Sequence, residues 1–185
     1  MIRNDFYLTL LLMILLFCLL VKIAIETYPT NGEEPDYQPD KWVENQTYNN
    51  CYAYALDNLK VRHRKPQPAE QPSPIYTCQH LKQWIDRDLI DQTGRKYSLL
   101  AGQNEQLCPK GHHQIYLVHN EDDYHFYRLD SDGLWSHKPG SSEVTRLDGN
   151  GELITNPSMA SHNYNNFNYD RQCGFLCVPK IEEKW

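Results

Sequence analysis

From Phe6 to Val21 the chain reads FYLTLLLMILLFCLLV without a charge, and Lys22 is followed by a further apolar triplet, Ile23-Ala24-Ile25. With Lys22 snorkelling at the boundary, residues 6–25 match the ~20 positions needed to cross a ~30 Å hydrocarbon core. The hydropathy pattern therefore predicts one transmembrane helix over residues 6–25, preceded by a short tail, residues 1–5. A cleaved secretory signal is the competing reading. The apolar run exceeds the ~7–15 residues of a signal core, and Lys22-Ile23-Ala24 puts a lysine where a small residue is wanted. Beyond the span, residues 26–41 hold Pro29, Pro35 and Pro39 among acids with little apolar content, which predicts a solvated stalk. Residues 42–185 are then about the size of one domain.

Within that domain two stretches carry helical periodicity. The first is CYAYALDNL, Cys51 to Leu59, with Asn49 or Asn50 as N-cap. The second runs from Cys78 to about Asp91, capped by Thr77, with Leu81, Trp84, Ile85 and Leu89 on one face that should be core. Between them Pro66, Pro68, Pro72 and Pro74 mark an extended loop. Strand-like runs follow at Gln114 to His119, Tyr124 to Leu129, Leu134 to Lys138 and Gly174 to Val178. Helices first and an antiparallel sheet afterwards predict an α+β domain.

Charge and cysteine content refine this picture. The formal net charge is -6, so nucleic acid is not an expected partner. Arg3 and Lys22 flank the apolar run, and the basic-residue rule places the amino terminus inside and the domain on the extracytoplasmic side. Asn45-Gln46-Thr47 is an N-glycosylation sequon that fits such a location. The domain holds Cys51, Cys78, Cys108, Cys173 and Cys177, a density that suggests an oxidising compartment. In an extended strand Cys173 and Cys177 would sit about 13 Å apart at ~3.3 Å per residue, too far to bridge each other. Each then needs a partner among Cys78 and Cys108, which leaves Cys51 free. The same four could bind zinc, but no C-x2-C pair is present, so no metal site and no cofactor are expected.

Cys51 would open a helix, where unpaired amides and the dipole favour the thiolate. His125 and His137 lie on two strands joined by the turn Asp130-Ser131-Asp132-Gly133. A three- or five-residue loop would put both histidines on one face, and a four-residue loop would not. On one face, His125 could serve as base and His137 as the group that fixes its tautomer. His119 is an alternative base, and Asp130 or Asn150 an alternative orienter. Cys51 could equally be a disulfide partner or a buried apolar thiol.

The order of a cysteine opening a helix, a histidine on a strand and a polar residue on the next strand resembles the papain-like thiol hydrolases of the NlpC type. Matched residue by residue, the resemblance implies a papain-like domain with helices packed on an antiparallel sheet, and Cys51, His125 and His137 as a catalytic triad attacking an amide or ester of a peptide-like or cell-surface substrate. The blocks NNCYAYAL (Asn49 to Leu56) and DYHFYRLDSDGLWSHKPG (Asp123 to Gly140) also resemble membrane-anchored sequences from bacteria and large DNA viruses. A non-catalytic surface or virion-envelope module of the same fold is the alternative. A third reading is a disulfide-stapled viral or cell-surface structural protein with every exported cysteine paired or linked between chains. The stretch NYNNFNY, Asn163 to Tyr169, alternates aromatics with amides and either lines a ligand groove or forms a surface loop.

Overall fold

The runs that alternate side chains between two apolar environments pair into sheets. The computed structural model describes residues 7–16, 27–43, 47–59, 65–68, 76–90, 93–165 and 167–180. In chain order the strands are β1 (Leu100–Ala101), β2 (His112–His119), β3 (Tyr124–Leu129), β4 (Trp135–His137), β5 (Asn163–Tyr164), β6 (Phe167–Asn168) and β7 (Arg171–Pro179). Five form an antiparallel sheet in the order β1-β7-β2-β3-β4, and β5 and β6 make a separate hairpin.

Both faces of the large sheet are covered, which is why β2, β3 and β4 are buried almost throughout. Ile115 and Leu117 of β2, Phe126 of β3 and Leu176 and Val178 of β7 pack with Leu81, Ile85 and Leu89 on one face. Tyr116, Val118, Tyr127 and Leu129 point the other way, into a cluster with Tyr28, Trp135 and Ile154. The period of two thus serves two cores.

Among the described residues the helices are few. Residues 7–16 form α1, Pro39–Trp42 a single 3-10 turn, α2 is Cys51–Ala55 and α3 is Cys78–Asp88. Thr77 caps α3, its hydroxyl accepting from the His80 N–H at 3.2 Å. Leu81 and Ile85 are buried as the periodicity required, with Trp84 packed beside them. α2 stops earlier than the sequence suggests. Asp57 takes a left-handed φ of 50° and the Asn58 N–H turns back to the Ala53 carbonyl at 2.9 Å, closing the helix after one turn.

Two expectations are corrected here. The transmembrane helix expected over residues 6–25 is not borne out: residues 7–16 are helical, while residues 6 and 17–25 lie outside the described residues. Among the described residues no helix is long and apolar enough to cross a membrane. The single-pass anchor, the membrane as partner and the membrane-tethered location are therefore not supported by the described residues. The papain-like, NlpC-type α+β domain is corrected as well. Among the described residues, three short helices accompany a mostly antiparallel sheet, and the helix opened by Cys51, central to that resemblance, is 5 residues long.

The segment expected as a solvated stalk is packed. The Tyr28 N–H donates to the Gly133 carbonyl at 2.8 Å, and the Tyr28 ring meets Trp135 edge-on at 5.3 Å. Asn31 donates to the carbonyls of Cys108 and His112 at 2.8 and 3.0 Å.

Candidate functional site

The site lies where β4 ends and leaves part of β3 without a strand neighbour. On β3, β4 pairs only with Tyr127, Arg128 and Leu129, and the amino end of α2 takes up the space beside Tyr124–Phe126. Asn50 caps α2 by accepting from the Ala53 N–H at 3.1 Å, while its amide donates to the Pro66 carbonyl at 2.8 Å. This places Cys51 against the sheet edge, its thiol 3.9 Å from the Tyr124 carbonyl.

Five residues, Asp130 to Leu134, separate the paired ends of β3 and β4, and Tyr127 stands opposite His137. The register therefore puts His125 and His137 on one face as diagonal neighbours, with His125 Nε2 and His137 Nδ1 2.7 Å apart. His137 Nε2 lies 2.9 Å from the Leu147 carbonyl, which can only accept. The protons are thereby assigned: His137 donates from Nε2 to Leu147, its Nδ1 accepts from His125 Nε2, and the Nδ1 of His125 is left as an acceptor. Burial holds both rings neutral, lowering His125 well below the ordinary histidine value and His137 to about 4.

Cys51 and His125 both line a cavity of about 540 Å³. No hydrogen bond joins them among the described residues, and Cys51 belongs to the helix-side core while the His125 ring stacks on Tyr169 on the other side, 5.4 Å between centroids at 22°. Cys51 is a free thiol at 6% exposure. Burial, reinforced by the Asp123 charge, pushes its pKa up to about 12. The helix-end effect anticipated for a thiolate is outweighed, since α2 is one turn long and the sulfur is desolvated.

The other candidate residues are placed as follows. Cys78 bonds to Cys173 and Cys108 to Cys177. Cys78, His119 and Cys173 bring ligand atoms within 4.8 Å of one another, but the two sulfurs are consumed by their mutual bond. His119 Nδ1 lies 2.8 Å from the Asn120 carbonyl. Asp130 is bound to Arg128 at 3.0 Å and Arg146 at 3.2 Å, so it serves a buried ion-pair network and not the histidines. Asn150 sits in the exposed turn closed by Asp148. The sequon residue Asn45 lies outside the described residues.

Sequence reasoning missed the wall opposite α2. Lys138 is fully buried and its ammonium donates to the carbonyls of Asn49, Gly140 and Ser142 at 2.9, 2.9 and 3.0 Å. It clamps the 139–142 loop, which lines the cavity, to the residue before the α2 cap. Burial draws its pKa down to about 8. A lysine closing the strand-like run Leu134 to Lys138 was the one available signal. The third wall is the β5–β6 hairpin, which contributes Tyr164 and Phe167, with Tyr169 just beyond.

A short-helix, mostly antiparallel β domain locked by two disulfides, with a buried thiol and histidine pair at one cavity, is the class so defined. No family model and no solved structure matches the chain. It is 32% identical over 131 residues to insoluble matrix shell protein 1 of Ruditapes philippinarum, a match spanning 67% of this chain and 79% of that protein. The chain belongs to the family of that shell protein. The expectation of a viral membrane protein is corrected accordingly: the relative is a shell matrix protein, and the comparisons lend no support to a virus or to a hydrolase.

Proposed function

We propose that the protein is a non-catalytic structural component of an insoluble extracellular matrix, and that the cavity beside α2 is a binding surface, not a reaction centre. The observation that carries this reading is the state of Cys51: a nucleophile needs an accessible thiol of lowered pKa, whereas this one is at 6% exposure with its pKa pushed up to about 12. Two disulfides closing loops of 95 and 69 residues suit a protein that works in an oxidising space without turnover, and the shell matrix relative is consistent with it. A second reading, catalysis by Cys51 with His125 as base and His137 as orienter, rests on the shared cavity and the free acceptor at His125 Nδ1.

Alkylation of the full chain with limiting iodoacetamide from pH 5 to 12, read peptide by peptide, separates the two. The structural reading expects Cys51 unlabelled at neutral pH, with labelling that climbs only toward the alkaline end. A labelling midpoint below the free-thiol value of ~8.5, abolished in His125→Ala, would reverse the assignment.

A further inference from the structure

We infer that the cavity beside α2 is a binding site for a short neutral oligosaccharide, an assignment that rests on reading this site as a binding surface and names its ligand. The volume, about 540 Å³, falls within the ~300–1,000 Å³ of small-molecule sites. Its chemistry is aromatic and hydrogen-bonding. Three ring planes run nearly parallel along one wall: Phe167 against Tyr169 at 10° and 6.4 Å, and Tyr169 against His125 at 22° and 5.4 Å. Phe167 is 50% exposed at the hairpin tip, an apolar face held open to solvent by a two-stranded ribbon with Asn165 in a left-handed turn. The exposed face of Phe167 can receive the C–H face of a pyranose ring, with the buried Tyr169 and His125 rings stacked behind it.

The rest of the lining includes groups suited to hydroxyls: Ser141, Ser142 and Gln67, whose amide oxygen accepts from the Tyr124 hydroxyl and whose NH2 can donate. The charges present, Lys65 and Asp123, are of opposite sign, and Asp123 is already engaged by the Tyr169 hydroxyl at 2.9 Å and the Tyr124 N–H at 2.8 Å. A polyanion finds no excess of cations there. A peptide fits less well, because among the described lining residues no leucine, isoleucine, valine or methionine offers an aliphatic subsite. A neutral sugar uses what the lining provides, stacking on Phe167 and hydrogen bonding to the amide and hydroxyls.

The test is titration of the full chain with soluble oligomers of glucose and of N-acetylglucosamine, followed by calorimetry and saturation-transfer NMR, with a neutral aliphatic peptide as the competing probe. Saturable binding of either sugar is expected, weakened at least tenfold in Phe167→Ala and retained in Phe167→Trp, which keeps a stacking face. Intact disulfides and an unchanged circular dichroism spectrum show that the variants are folded. Absence of saturable sugar binding at millimolar concentration, unchanged affinity in Phe167→Ala, or binding of the peptide alone would each overturn the assignment. Cys51 alkylation on the same samples keeps the two readings apart. A reactive thiol with sugar bound defeats only the non-catalytic reading, and a silent thiol without sugar binding defeats only the ligand class.

Discussion

His137 is a buried base held neutral, and that has a defined consequence for stability. Its folded pKa of about 4 lies below the unfolded value of ~6.5, so between these limits the unfolded chain binds more protons and stability rises with pH. The contribution is fully present above pH ~6.5 and is lost as pH falls toward 4, by about 3 kcal/mol over the window. Urea midpoints measured at pH 7, 5.5 and 4 should fall in that order, and His137→Asn should flatten the decline even where it lowers the midpoint at pH 7. Arg128 makes the opposite kind of case, a buried charge that is paired. Its guanidinium is fully buried, 3.0 Å from Asp130 and 3.9 Å above the Tyr54 ring, and it donates to the Asp36 carbonyl at 3.2 Å. Arg128→Met removes one partner and leaves Asp130, also buried, with only Arg146 as a charged partner beside the Ser136 hydroxyl. A loss of about 3–5 kcal/mol is expected in equilibrium unfolding, and a variant that unfolds like the wild type would show the network to be dispensable.

At the scale of elements, irregularities do the positioning. The β2–β7 ladder shifts register between Leu117 and Val118, with Gly174 and Gln172 paired and Cys173 passed over. Without this bulge, alternation would aim Cys173 to the side of Phe175; with it, Cys173 reaches the helix-side core and bonds to Cys78, the first residue of α3. Gly133 closes the β3–β4 turn at φ +78°, and a Cβ there would sit 2.6 Å from the Tyr28 carbonyl and 2.8 Å from the Thr27 side chain. Gly133→Ala should therefore push the 27–36 segment off the sheet. The expected readout is a loss of about 1–3 kcal/mol with new protease sensitivity confined to that segment; global loosening would contradict a local role. Such features mark the limit of the sequence. The face of α3, the strand from Tyr124 to Leu129 and the dependence of the two histidines on loop length were legible, because each rests on a period or a parity. The brevity of α2 was not, since it is decided by a left-handed Asp57, and aspartate does not announce that conformation. The packing of residues 27–41 was hidden by their prolines and acids, although Tyr28 and Asn31 make contacts as specific as any in the core. The state of Cys51 could not be read either, because the position of a thiol in the chain carries no information on how far the sheet edge buries it.

For the whole molecule, β7 is the common anchor. It is the central neighbour of β1 and β2, one disulfide ties its bulge to α3, and the other ties Cys177 to the loop before β2. The cavity depends on this strand only indirectly, through β2 and then β3, which carries Tyr124 and His125. Each crosslink closes a long loop, 95 and 69 residues apart in sequence, and in the chain-entropy account each is worth about 4–5 kcal/mol. Against a net stability of ~5–15 kcal/mol for a domain of this kind, loss of one should leave a folded but weakened protein and loss of both should leave little. Paired substitutions test this cleanly, because they avoid stray thiols. Cys108→Ala with Cys177→Ala is expected to lower Tm by roughly 10–20 °C while the Cys78–Cys173 bridge persists, and the quadruple alanine variant is expected to show no cooperative transition at 25 °C. Cys51→Ala should behave differently from both, costing only the packing of one buried sulfur and leaving both crosslinks in place. Were the quadruple variant to melt cooperatively near the wild type, the two hydrophobic cores on either face of the sheet would be sufficient to hold the fold, and the disulfides would have to be assigned to durability of the assembled matrix.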